Sequence, residues 1–172
     1  QASRATETNF EKNDKIGLYV ADAKAQLEIG GNLVNNEALT YDGSKWAAAR
    51  ALYWDKGTYT AYAYYPYIEN VSSITDQSFS VALDQRVAKT ATSLGGYEAS
   101  DLLFATSKNI SASASPINLT FKHIMSKLKI RLVKGEDFEG EMPTTADVYI
   151  HNTVPTATVD LQAGVATRYV KG

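Results

Sequence analysis

"YTAYAYYPY", residues 59–67, puts five tyrosines into nine positions. Successive side chains of a strand point to opposite faces. Tyr62 and Tyr64 therefore share one face, while Tyr59, Ala61, Ala63 and Tyr65 share the other, and a continuous platform of five rings is geometrically impossible. The stretch reads as the wall of a sandwich. Tyr62 and Tyr64 point inward beside Trp46 or Trp54, with their hydroxyls reaching the rim for hydrogen bonds. Pro66 ends the donor ladder, as suits a strand end or an edge. Tyr65 and Tyr67 remain as candidate ligand contacts.

The same period of two runs outward in both directions. "KIGLYV" (residues 15–20) aligns Ile16, Leu18 and Val20 as a first strand. "QLEIGGNLV" has Leu27 and Ile29 in phase before a Gly30-Gly31 break, which reads as a short hairpin, and Asp42-Gly43 marks another between Tyr41 and Trp46. "ARALYW" reads as a short strand ending at Trp54, and Phe79, Val81 and Leu83 alternate in "SFSVAL". The Ser/Thr/Ala-rich run 90–116 reads as one long surface connection. Within it Ser100 or Asp101 would cap a helical turn near 100–105. In "INLTFKHIMSKLKIRLV" (117–133) Leu119, Phe121, His123 and Met125 share one parity, and Leu128, Ile130 and Leu132 the other. A strand that keeps both sets inward needs a β-bulge or a change of sheet within 123–127. "ADVYIHN" gives another strand, and "ATVDLQAGVATRYV" two more across Gln162-Ala163-Gly164. The expectation is an all-β, antiparallel sandwich over residues 13–172, preceded by a flexible segment 1–12.

Composition narrows the chemistry. The 172 residues are 44% hydrophobic with a formal charge of -2, which gives no electrostatic footprint for nucleic acid. No apolar run approaches the roughly 20 residues that span a bilayer. The polar opening "QASRATETNFEKNDK" is no signal peptide, so the chain reads as cytosolic or as a trimmed form of an exported protein. Cysteine is absent, which excludes disulfides and thiolate chemistry. The two histidines, His123 and His151, match no local metal spacing. No phosphate-binding glycine motif or nucleophile elbow occurs. His123 and Ser126 fall on opposite faces of a strand, so His123 reads as a core residue bonded to nearby backbone rather than a base. Glu136, Asp137, Glu139 and Glu141 lack a regular calcium-loop pattern and read as a solvated hairpin loop. Asn70, Asn109 and Asn118 each open an Asn-x-Ser/Thr triplet. No catalytic residue, metal or cofactor is expected.

Several segments, in order, resemble the fimbrillin family of Bacteroidales, also called type V pilins. These are "RATETNFEKNDKIGLYV", "KWAAARALYWDKGTYTAYAYYPY", "SDLLFA", "LTFKHIMSKLKIRL" and "ADVYIHNTVPTATVDLQAGVAT", which together run from Arg4 to Thr167. Asp55 departs from the pattern, where the family more often has proline. The resemblance implies a Greek-key, transthyretin-like sandwich, the N-terminal one of two domains. It also implies export as an outer-membrane lipoprotein, with the lipid anchor on a part not present in this sequence, and cleavage after Arg4 by an arginine-specific protease. Assembly would follow at the cell surface by donor-strand exchange with other fimbrial subunits, which is a form of β-augmentation. Trp46, Trp54, Tyr62, Tyr64, Phe121 and His123 are the expected structural core. The expected function is that of a shaft, anchor or tip subunit of a fimbria. The alternative is a carbohydrate-binding adhesin module using Tyr65 and Tyr67 on surface glycans or proteins.

Overall fold

Lys15–Asp22 (β1) and Thr58–Tyr65 (β4) pair antiparallel, with Gly17 opposite Tyr64 and Tyr19 opposite Tyr62. Both strands are buried on both faces. The computed structural model describes residues 9–112 and 116–169. Around this pair lie Val34–Tyr41 (β2), Trp46–Ala48 (β3), Leu103–Ser111 (β6) and the two-residue Lys122–His123 (β7). They form a six-stranded sheet in the order β3-β2-β1-β4-β6-β7. Gln77–Ser80 (β5), Thr156–Asp160 (β8) and Val165–Arg168 (β9) make a three-stranded sheet in the order β5-β8-β9. All pairings are antiparallel. The strands β3, β2 and β1 are joined in sequence, and β4 returns beside β1, which is the Greek-key order.

Alternation distributes the core. Tyr19, Tyr62, Tyr64, Leu102 and Phe104 face the small sheet and meet Phe79, Val159 and Leu161. Ile16, Leu18, Val20, Ala61, Ala63 and Tyr65 face the other way. Among the described residues no second sheet covers that side; Phe10, Trp46, Trp54, Leu94, Leu119 and Phe121 pack onto it from short or irregular segments. The hairpin at Asp42-Gly43 forms as its sequence requires. Asp42 Oδ1 accepts the amides of Ser44 and Lys45 at 2.8 and 2.9 Å, and Gly43 takes a φ of 107°.

The bulges lie elsewhere than in 123–127. Register shifts opposite β1 and opposite β4 leave an extra residue in β2 and in β6. Asn36 (φ 46°) and Asn109 (φ 58°) sit there in the left-handed region that asparagine tolerates. The β6 bulge lets Phe104 face one core cluster while Ile110 packs on the other.

Other expectations are corrected. The helical turn is α1, Gly96–Ser100, and Asp101 ends it in extended backbone instead of capping its start. Leu103 and Phe104 open β6, so the supposed long connection contains a nine-residue sheet strand. Its Ser, Thr and Lys residues resemble a loop in composition, but its ladder to β4 defines it. At the start of α1, a Cβ on Gly96 would collide with the backbone of Asp84 and Gln85, so the glycine permits close packing there. Neither Leu27–Ile29 nor "ARALYW" forms a strand, and β5 stops at Ser80, leaving Leu83 93% exposed. Residues 124–155 hold no strand, and Leu128, Ile130, Leu132, Val148 and Ile150 are exposed. Strand patterning needs a partner ladder, and the described residues supply one only at Lys122 and His123.

Candidate functional site

The backbone leading into β1 is tied down by a ring nest and an ion cluster. Phe10 meets Trp46, Tyr65 and Phe121 edge-on, with centroids 4.9, 5.7 and 5.1 Å away. Asp14 is fully buried, and its Oδ2 accepts the Glu11 amide at 2.7 Å. Its Oδ1 lies 2.5 Å from Lys89 Nζ, which also reaches Glu11 Oε2 at 3.4 Å. Burial alone would lower the Lys89 pKa, but the hydrogen bonds and charges of Asp14 and Glu11 outweigh it and leave it raised. Within the segment 1–12, Phe10 and Glu11 are thus half-buried, while Asn9 and Lys12 are exposed. Arg4, the expected processing residue, lies outside the described residues.

The aromatic residues divide between the two faces. Tyr62 and Tyr64 lie in the core toward the small sheet. The Tyr64 hydroxyl donates to Asn36 Oδ1 at 2.6 Å and accepts the Ile68 amide at 3.3 Å. The β2 bulge is what aims Asn36 at it. Trp46 and Trp54 are half-buried on the opposite face, so neither joins Tyr62 and Tyr64; Trp54 meets Tyr59 at 5.8 Å instead. Trp46 takes that face from the register of β3 on β2, and Trp54 from the strandless segment that precedes β4. Tyr65 is 2% exposed and offers no ring to a ligand, which corrects its assignment as a contact residue. Tyr67 is half-buried. Phe121 is half-buried in the Phe10 nest. His123 is not a core residue: its side chain is 48% exposed, and Nδ1 lies 2.7 Å from Asp101 Oδ1. His123 pairs with Leu103 at the end of β7, and its ring turns to Asp101 rather than into the cluster of Phe121.

Two further features bear on assembly. Among the described residues, β6 is paired on its outer side only at Leu103 and Phe104, so Ala105–Ser111 presents unused ladder groups. Downstream, the alternating apolar residues of 128–132 and 148–150 stand in solvent. Sequence reasoning missed the roles of Asp14, Gly17 and Lys89. A Cβ on Gly17 would overlap the Tyr64 ring, so the glycine lets that ring lie flat across β1. Only the glycine inside an otherwise apolar strand could have signalled this.

A family model described as fimbrillin-like matches residues 3–171. A curated Bacteroides ovatus protein, provisionally named fimbrium tip subunit Fim1C, is 36% identical over 70 residues, which is 40% of this chain and 12% of that protein. A provisionally named cell adhesion protein from Bacteroides uniformis superposes with a TM-score of 0.63 at 19% identity, covering 97% of this chain and 64% of that one. Another from Bacteroides ovatus gives 0.60 at 17% identity, covering 98% and 62%. The present chain thus spans a small part of the curated relative and less than two thirds of either structure. At these identities the structural likeness is one of fold.

Proposed function

The chain belongs to the fimbrillin-like family, and from that premise we propose that it is a non-catalytic subunit of a cell-surface fimbria, joined to other subunits by donor-strand exchange after cleavage at Arg4. Two observations carry this reading: the strand-patterned Leu128, Ile130 and Leu132 are exposed, and β6 is unpaired on its outer side from Ala105 to Ser111 among the described residues. An extended segment from a neighbour would satisfy the edge groups and cover apolar side chains together. Residues 13–172 are proposed to act as one sandwich within a longer protein, held at the outer membrane by a lipid anchor.

The test is to treat the purified chain with an arginine-specific protease, mix it with fimbrial shaft subunits, and follow it by denaturing electrophoresis without boiling. A ladder of stable oligomers is expected for the native chain and none for Arg4→Ala. Cleavage after Arg4 without any oligomer would overturn the mechanism.

A further inference from the structure

At one end of the molecule the two sheets part, and a cleft of about 800 Å³ opens between them. That volume lies in the range of small-molecule sites. Its floor is apolar and nearly closed: Tyr62 and Phe104 from the large sheet, with Leu27 and Ile74. Its walls are polar. Alternation along β6 after Phe104 brings Thr106 and then Lys108 to the same side, both exposed. The lining also includes Asp160 and Gln162 at the β8–β9 turn, Ser73 and Thr75 from the loop before β5, and Glu28 from the β1–β2 loop.

The walls are fixed by bonds of their own. Gln162 Oε1 accepts the Leu27 amide at 3.1 Å, which locks the β1–β2 loop to the β8–β9 turn. Leu161 donates its amide to Ile74 O at 2.7 Å, which ties on the loop before β5. Asp160 Oδ1 holds the turn through the amides of Gln162 and Ala163, at 2.8 and 2.7 Å. Asp160 Oδ2 and the Gln162 amide nitrogen take no protein partner among the described residues, nor does the Lys108 ammonium. A preformed cleft thus displays an unspent acceptor, an amide donor, a cation and hydroxyls above a small aromatic floor.

We propose that this cleft binds a neutral oligosaccharide. Hydroxyls of a sugar both donate and accept, so they suit a wall of mixed donors and acceptors, while Tyr62 and Phe104, each less than a tenth exposed, add only a small apolar patch at the floor. With Lys108, Glu28 and Asp160 in its lining, the cleft carries one cation and two carboxylates, which disfavours an anionic ligand and leaves acceptors for sugar hydroxyls. An apolar donor strand does not fit. The cleft presents charged and hydroxylated side chains, not strand-edge amides and carbonyls, and the open edge of β6 faces elsewhere in the sheet plane. Because the walls are already bonded in place, a ligand has little ordering to do on binding.

The test applies the unpolymerised chain to an array of neutral oligosaccharides, followed by calorimetry on the best binder, so assembly does not enter the result. Lys108→Ala is expected to weaken binding about tenfold, the scale of one hydrogen bond to a charged group. Thr106→Trp fills the cleft from an exposed strand position and is expected to abolish binding, while Tyr67→Ala leaves it unchanged. Circular-dichroism melts should match the native chain for all three. Failure to bind any neutral oligosaccharide overturns the proposal, and so does binding that survives both cleft variants.

Discussion

Tyr64 and Gly17 show how one residue's shape depends on the absence of another's. The tyrosine ring lies across the glycine opposite it, and its hydroxyl is held by Asn36 at a bulge. Gly17→Val is therefore expected to cost about 3 kcal/mol, because the ring has to leave a filled core. Urea denaturation will show whether the midpoint falls that far. Tyrosine burial also sets an alkaline limit. Desolvation pushes Tyr19 up to about 12 from its ordinary 10.0, and raises Tyr64 and Tyr65 further, with the charge of Asp14 adding to the effect at Tyr65. Above the ordinary value the unfolded chain releases protons that the folded chain keeps, so folding loses stability as pH rises. Lys89, also raised, acts in the same direction. Thermal melts should be steady through neutral pH and fall above pH 10.0; a constant melting temperature there would contradict the assigned burial. The parity of "YTAYAYYPY" foretold which tyrosines share a face, but that neither tryptophan meets Tyr62 and Tyr64 depends on the β3 register and the segment before β4, which alternation within one strand does not describe.

Among the elements, the strands that were legible are those bounded by turn chemistry. β1, the β2–β3 hairpin and the β8–β9 hairpin are of this kind. β6 was hidden because its ladder, not its composition, defines it, and 117–133 was overread because alternation records an affinity for a partner, not the partner's presence. Both bulges escaped notice, since an asparagine in left-handed backbone looks like any other polar residue. The element most sensitive to electrostatics is the lead-in to β1. Its buried Asp14 has one cation, and Lys89→Met would strand that charge at a cost of about 3 kcal/mol. Calorimetry should show the loss. Asp14→Asn combined with Lys89→Met should recover part of it, because the uncompensated charge is then gone.

At the scale of the whole molecule, one side of the large sheet is sealed by a second sheet and the other by rings and loops, while the apolar run after Lys127 is left bare. Its residues contribute little to the fold, so Ile130→Lys with Leu132→Lys is expected to change stability by no more than about 0.5 kcal/mol. The same pair should suppress oligomer formation in the protease assay. Unaltered oligomers would remove this strip from the assembly reading. The candidate sites were less legible than the fold. Arg4 is a matter of motif alone, and the cleft arises where loops distant in sequence converge.

The central place of β1 has a mechanical side. It lies between β2 and β4 and is bonded to antiparallel neighbours on both sides. Tension transmitted through the backbone before Lys15 runs along the strand axis, so both ladders are loaded in shear and their bonds share the force. An edge strand pulled sideways would peel open one bond at a time. In single-molecule pulling from its N-terminal end, this sandwich should yield in one abrupt high-force event.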